Sequence, residues 1–374
     1  MILGVSAEQE ELRASVRRFL ADRAPMSRVR ELMDGGETDW AVWEQAGSQL
    51  GLQGLAIPES YGGAGFSFAE QAVVLEEFGA ALYGGPYLAS AVLAATALLA
   101  SPDEGARRGL LPDIASGQTV ATLAFAEDGG SWDPAAIRLS AVKDGPGVNG
   151  AWQLDGHKSF VLDGATAGLI LVVATTDAGL SLFAVEGDAA GLGRAALPAL
   201  DQTRQLARLE FAGVTGRLIG SPGDGAAALD RALDVAAVAL AAEQLGGAQR
   251  ALDMAVEYAK VRRQFDRPIG SFQAIKHRCA DLLLEVESLR SAVGYAAAAV
   301  AEDSAEIPVL ASLVKAYASE TYFHVAAENI QIHGGIGFTW EHDAHLYFKR
   351  AKASELFLGD GAYHRERLAN RIGL

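Results

Sequence analysis

The chain has 374 residues, 50% hydrophobic and 21% charged, so it is too long for one small core and too apolar to be disordered. A formal net charge of −16 weighs against DNA, RNA or an anionic membrane surface as the main partner. The single cysteine, Cys279, can form no internal disulfide and suits a reducing compartment. The longest apolar run, Ala89 to Ala100, is too short to span a bilayer. The opening MILGVSAEQEEL lacks the basic start and apolar core of a signal peptide, so a cytoplasmic location is expected.

The first 115 residues read as helices. Ser6 opens a capped run with Leu12, Val16, Phe19 and Leu20 at helical spacing. Trp40 to Leu50 comes next, then the loop GLQGLAIPESYGGAG (Gly51 to Gly65) and a helix from Phe68 to Ala81. Two more cover Val92 to Ala100 and Glu104 to Ala115, the second interrupted at Pro112, which has no N–H to give. From about Val120 to Leu218 the pattern turns strand-like, as in TVATLAFA, WQLDGHKSFVL, GLILVVATT, GLSLFAVE and RQLARLEFAGV. After Ser221 helices return at about Asp224 to Arg263, Ser271 to Ala301 and Ile307 to Ile332. These three are too apolar to be solvated all round, so a bundle packed against another subunit is expected. The division is therefore a helical domain 1–117, a β domain 118–222 and a helical bundle 223–374, a mainly helical α+β chain.

Three motifs carry more. In the last one, the helix up to Asn329–His333 breaks at Gly334, Gly335 and Gly337, and a second helical pattern follows with Leu346, Phe348, Ala351, Leu356 and Phe357. A Gly-Gly-x-Gly turn can bring backbone N–H groups close to a phosphate, or simply cap a helix. Together with GLAIPESYGGAG (Gly54 to Gly65) and YAKVRRQFDRPIGSFQAIKHRCADL (Tyr258 to Leu282), it makes nearly the whole chain resemble the acyl-CoA dehydrogenase family. The resemblance implies an N-terminal helical domain, a central β-barrel-like domain and a C-terminal four-helix bundle, usually in a tetramer. It also implies FAD held at a dimer interface and oxidation of an acyl-CoA to the 2,3-enoyl-CoA. A carboxylate takes the α proton and the flavin takes the β hydrogen as hydride.

Carried over residue by residue, the resemblance is one-sided. The groups that the family gives to a neighbouring chain's FAD correspond to Arg262, Phe265, Gln331, Gly334 and Gly335, and all are in place. Asp266 stands where a Gly is usual. The segment that grips the flavin ring departs from the pattern, with Ala126 and Leu162 at positions usually held by Thr and Trp132 at one usually held by Ser. Phe160 could still lie against a ring. The usual catalytic Glu corresponds to Leu358, and the alternative base position on the first long C-terminal helix corresponds to Ala236, next to Ala237. Glu243, two turns further on, and Asp360 are the remaining carboxylates to weigh as bases; the alternatives are a salt bridge for Glu243 and a cap for Asp360. His333, His342, His345 and His364 do not have metal-site spacing, and no metal is expected.

The pattern implies one subunit of a heteromeric α2β2 acyl-CoA dehydrogenase, of the actinobacterial kind that acts on steroid side-chain thioesters. A homologous partner would carry the catalytic Glu, and the tetramer would hold two FAD rather than four. An electron-transferring flavoprotein is the implied acceptor. The alternatives are a self-sufficient homo-oligomer using Glu243 or Asp360, and a non-redox scaffold subunit.

Overall fold

The structure, a computed structural model, describes residues 6–35, 38–143 and 151–374. Residues 1–5, part of the stretch in which no signal peptide is read, lie outside them. In chain order the helices are α1 (Ala7–Arg23), α2 (Met26–Gly35), α3 (Trp40–Leu50), α4 (Phe68–Ala80), α5 (Ala95–Ala100, continuing a π-helical stretch Leu88–Ala94), α6 (Glu104–Ala115), α7 (Gly225–Val261), α8 (Gln273–Ala301), α9 (Ile307–His333), α10 (Ala344–Leu356) and α11 (Gly361–Ile372). The strands are β1 (Ala121–Ala124), β2 (Ser140–Lys143), β3 (Trp152–Leu162), β4 (Leu169–Thr176), β5 (Gly179–Glu186), β6 (Leu192–Leu197), β7 (Leu206–Ile219), β8 (Arg263–Gln264) and β9 (Arg267–Pro268). The helix–strand–helix order and the mainly helical class are as the sequence predicts.

Local chemistry sets the boundaries. Ser6 and Gln9 form a reciprocal capping box at the start of α1. Asp39 caps α3, and Gly51 closes it in the left-handed region. One expectation is overturned: Pro112 does not interrupt α6. It withholds only its own N–H, and its carbonyl still accepts from the Ser116 N–H at 3.0 Å. Helix α2 and strands β2 and β6 were not anticipated.

Backbone contacts divide the chain into two compact units, with the division falling inside α7 between residues 236 and 237. The helical unit holds α1, α2, α4, the larger part of α7, the β8–β9 hairpin and α8 to α11. In it α4 packs on α1 and α8, while α9 packs on α8, α10 and α11. Helices α4 and α7 touch backbone to backbone. A Cβ added to Gly79 would lie 1.9 Å from the Glu243 carbonyl oxygen, and one added to Gly246 would lie 1.7 Å from that of Glu76. Around this crossing Arg17 pairs with Glu77 at 2.8 Å and Arg290 with Glu76 at 2.6 Å.

The second unit holds α3, α5, α6, the start of α7 and β1 to β7. Its sheet closes into a ring. Strand β3 pairs with β7, β7 with β5, and β5 with the full length of β4, all antiparallel. The other edge of β4 is shared in tandem by β1, over Leu169 to Val172, and β2, through the single pair Ser140 and Thr175. Strand β2 then returns to β3, while β6 adds to β7. The interior is filled by buried Leu154, Ile170, Val172, Phe183, Leu209 and Val214.

Candidate functional site

The residues taken to serve a neighbouring chain's cofactor come from two segments that meet at one end of the helical unit. Helix α7 ends at Val261 and runs into the β8–β9 hairpin, whose turn residues Phe265 and Asp266 have φ of 51° and 61°. Both are left-handed, the geometry of a type I′ turn, which disfavours a Cβ-bearing residue such as Phe. The turn leaves the Phe265 ring 87% exposed, touched by Phe272 and otherwise open. Helix α9 ends at His333, and Gly334 follows at φ 65° and ψ −144°, a backbone region reserved for glycine. A short 3-10 turn, Gly334–Phe338, comes after it.

Packing joins the two ends. Tyr258, one turn before Arg262, stacks on His333 at 4.2 Å between ring centroids, and Ala255, Ala259 and Ile332 form a small buried cluster beneath them. Arg262 and Gln331 are both exposed, and among the described residues neither side chain has an ion pair or hydrogen bond. Nothing lies within 4 Å of a Cβ built on Gly334 or Gly335, so their backbone is open to an incoming group. A free guanidinium, a free amide, bare glycine backbone and an exposed ring therefore gather at one end. These are the groups that an anionic, ring-bearing cofactor such as FAD would use.

The other unit holds the segment corresponding to a flavin-ring site, and its residues do not fit that role. Ala126 and Leu162 are buried and offer no side-chain donor or acceptor. Trp132 packs against Phe125 at 5.9 Å and Phe160 at 6.1 Å. Phe160 sits in a bulge of β3 at φ 58°. The polar groups beside it are already engaged. Glu127 Oε1 accepts from Lys158 Nζ at 2.9 Å and from the Arg138 and Leu139 N–H groups at 2.8 Å. Burial pushes the Glu127 carboxyl up, but these bonds outweigh it and hold the group below its ordinary value. Burial also draws the Lys158 ammonium down to about 8. Asp128 accepts from Arg208 and Ser159, which lower it to about 2. Asp163, next to Leu162, is raised by burial to about 7.

Neither base position holds a carboxylate. Ala236 and Ala237 are buried on α7. Leu358 is 4% exposed and adopts φ 62°, on a loop that is firmly held. Buried Lys315 donates to the carbonyl oxygens of Glu355 at 3.1 Å and Gly359 at 2.9 Å, and to Ser319 Oγ at 2.9 Å. His364 Nε2 lies 3.0 Å from the Leu358 carbonyl oxygen, and burial lowers this imidazole to about 3, with Lys315 adding to the effect. The two stand-ins have structural partners. Glu243 Oε1 accepts from Arg350 Nη1 at 2.6 Å, both side chains being nearly inaccessible. Asp360 caps α11, accepting from the Tyr363 N–H at 2.8 Å.

The histidines form no metal centre; among the described residues no His, Cys, Asp and Glu group could hold an ion. His333 and His342 lie ring to ring at 4.3 Å, and burial lowers both. Sequence reading missed Lys315 and Arg350. Lys315 had a signal, a lone cation among apolar neighbours, whereas Arg350 sits between Lys349 and Lys352. The decisive partners of both, the Glu355 and Gly359 carbonyls and Glu243, lie 40 or more residues away.

Comparison with known proteins identifies the family. Residues 6–118 match the family profile "Acyl-CoA dehydrogenase, N-terminal domain" and residues 223–373 match "Acyl-CoA dehydrogenase, C-terminal domain". The chain is 36% identical to the acyl-CoA dehydrogenase IpdE2 of Mycobacterium tuberculosis, over 94% of this chain and 93% of that one. Among solved structures it is similar to a variant of the Tcur3481-Tcur3483 steroid ACAD, at 33% identity and TM-score 0.89, covering 99% of each chain. It is also similar to the ChsE4-ChsE5 complex from Mycobacterium tuberculosis, at 30% identity and TM-score 0.90, covering 100% of this chain and 99% of that one. Among the described residues no helix is long and apolar enough to cross a membrane.

Proposed function

Because the chain belongs to the acyl-CoA dehydrogenase family, we propose that it is the non-catalytic subunit of a heteromeric, FAD-dependent acyl-CoA dehydrogenase. The observation that carries this reading is the asymmetry between the two candidate surfaces. The α7–α9 end offers unengaged Arg262 and Gln331, bare Gly334 and Gly335, and exposed Phe265. The chain's own ring segment is apolar at Ala126 and Leu162 and packed at Trp132, and the base position is a buried leucine. In this reading Arg262 neutralises phosphate charge, the glycine turn presents backbone N–H groups to it, and Phe265 covers an apolar ring face. A homologous partner chain supplies the ring-binding β domain and the Glu that takes the α proton. FAD, when bound, accepts the β hydrogen as hydride.

The similarity to a steroid ACAD supports a CoA thioester of a steroid side chain as the substrate class. An electron-transferring flavoprotein as acceptor, a cytoplasmic location, an α2β2 assembly with two FAD and the division 1–117, 118–222 and 223–374 belong to the same proposal. The test is the visible absorbance of this chain purified alone and co-expressed with a homologous dehydrogenase chain from the same genome that carries the catalytic Glu. A colourless lone chain that turns yellow and active with that partner supports the reading. A yellow lone chain with one FAD per protomer refutes it in favour of a self-sufficient enzyme. No flavin in either case leaves a scaffold.

A further inference from the structure

Arg30 lies on α2, the short helix that sequence periodicity did not reveal. Its Nε and Nη2 both donate to Asp343 Oδ1, at 2.9 and 2.6 Å, and its Nη1 donates to the Trp340 carbonyl oxygen at 2.7 Å. One guanidinium thus grips two points of the segment that follows the glycine turn. Asp343 is the N-cap residue of α10, where an aspartate ordinarily accepts from the first-turn N–H groups. Here it makes no such bond, its carboxylate being turned to Arg30 instead. The same segment is held elsewhere as well. The Trp340 ring lies 4.2 Å from Lys349 Nζ and edge-on to His345, and the His342 ring packs on His333. Gly337 packs on the last turn of α9, where an added Cβ would be 3.2 Å from the Ile330 backbone.

We infer that Arg30 is a positioning residue for the cofactor site at this end of the helical unit. It clamps Trp340 and Asp343, and thereby fixes the Gly334–Phe338 turn against the end of α7. The inference rests on the reading of that end as a flavin site completed in trans. Two features separate a positioning role from a merely structural one. The pair is partly exposed, 28% and 35% for the two side chains, so its contribution to global stability is small. Its contacts all fall on the segment joining the glycine turn to α10, so its loss loosens that segment selectively.

The experiment is a titration of free FAD into the deflavinated two-chain complex, with thermal denaturation run in parallel. Arg30→Met is expected to weaken FAD by about 3- to 5-fold, the most that a partly exposed pair holding the segment can pass on to binding, while Tm moves by less than about 2 °C. Asp343→Ala should reproduce the effect from the other side of the clamp. Arg30→Lys should fall between, since an ammonium cannot hold carboxylate and carbonyl in one planar fork. Hydrogen exchange over residues 334–343 should quicken in Arg30→Met and by less in Arg30→Lys. Wild-type FAD affinity in Arg30→Met overturns the inference and leaves the trans-site reading standing. So does a loss of affinity matched by a general fall in Tm. A wild-type complex that takes up no FAD overturns both.

Discussion

Removing Glu243 separates the structural reading of that residue from the catalytic one. Its carboxylate lies 2.6 Å from Arg350 Nη1, with side-chain exposures of 8% and 2%. Taking one partner from a buried pair leaves the other charge uncompensated and costs about 3–5 kcal/mol. At about 2–4 °C per kcal/mol, Glu243→Ala should lower Tm by on the order of 10 °C. Glu243→Gln keeps the shape and one neutral acceptor, so its loss should be smaller. Glu243→Leu combined with Arg350→Met removes both charges and should recover most of the stability, because an apolar pair of similar volume is often neutral. The assays are thermal denaturation of each variant and turnover of the two-chain complex well below its transition. For a structural Glu243, turnover of Glu243→Gln stays within about a factor of three of wild type, under ~0.7 kcal/mol in barrier. A general base would cost about 10²- to 10⁴-fold. Unchanged Tm with abolished turnover in Glu243→Gln would refute the structural account.

Other outcomes follow from the same geometry. Lys315→Met leaves the Glu355 and Gly359 carbonyl oxygens without their shared donor; it should cost about 2–4 kcal/mol and quicken hydrogen exchange over 355–360. His364 is held down to about 3, so between its ordinary value and about 3 the unfolded chain binds the extra proton. Stability should therefore fall as pH drops below about 6.5, by up to about 1.4 kcal/mol per pH unit, and His364→Gln should flatten that limb in urea titrations. Asp163 is held up to about 7, so the folded form disfavours the charge that the unfolded chain carries. Its contribution is lost as pH rises from about 4 to 7, and Asp163→Asn should raise Tm at pH 8 but not at pH 4. Asp266→Gly relieves a left-handed φ of 61° and should be neutral or stabilising by up to about 1 kcal/mol, with tighter FAD from the lost negative charge.

Periodicity made the long helices and the main strands legible, because α7, α8, α9, β4 and β5 bury whole faces whose spacing is visible in the residues. The elements it missed are those with little to bury. Helix α2 has Val29 and Met33 as its buried apolar contacts, and β6 is a sparsely buried edge strand of low β propensity, LGRAAL. Pro112 does not break α6 because it withholds only its own N–H, and the bonds on either side carry the helix through it. At the site, the residue types were legible but their engagements were not. The partner of Glu243 is 107 residues away and that of Arg30 is 313, and no local pattern encodes a contact across such distances.

The ring of strands has a seam. Between β4 and β3 the wall is completed by β1 and β2 end to end, linked to β3 beyond its ladder by single bonds such as Ser159 N–H to the Ala126 carbonyl oxygen at 2.9 Å. Residues 126–133 and 159–163 thus lie where backbone pairing is sparse and interrupted by a bulge. Side chains there can be exchanged with little effect on the uninterrupted β4–β5 ladder. A fold with such a seam can surrender a ligand surface and keep its barrel. The residues at that surface pack on one another, as Trp132 does on Phe125 and Phe160.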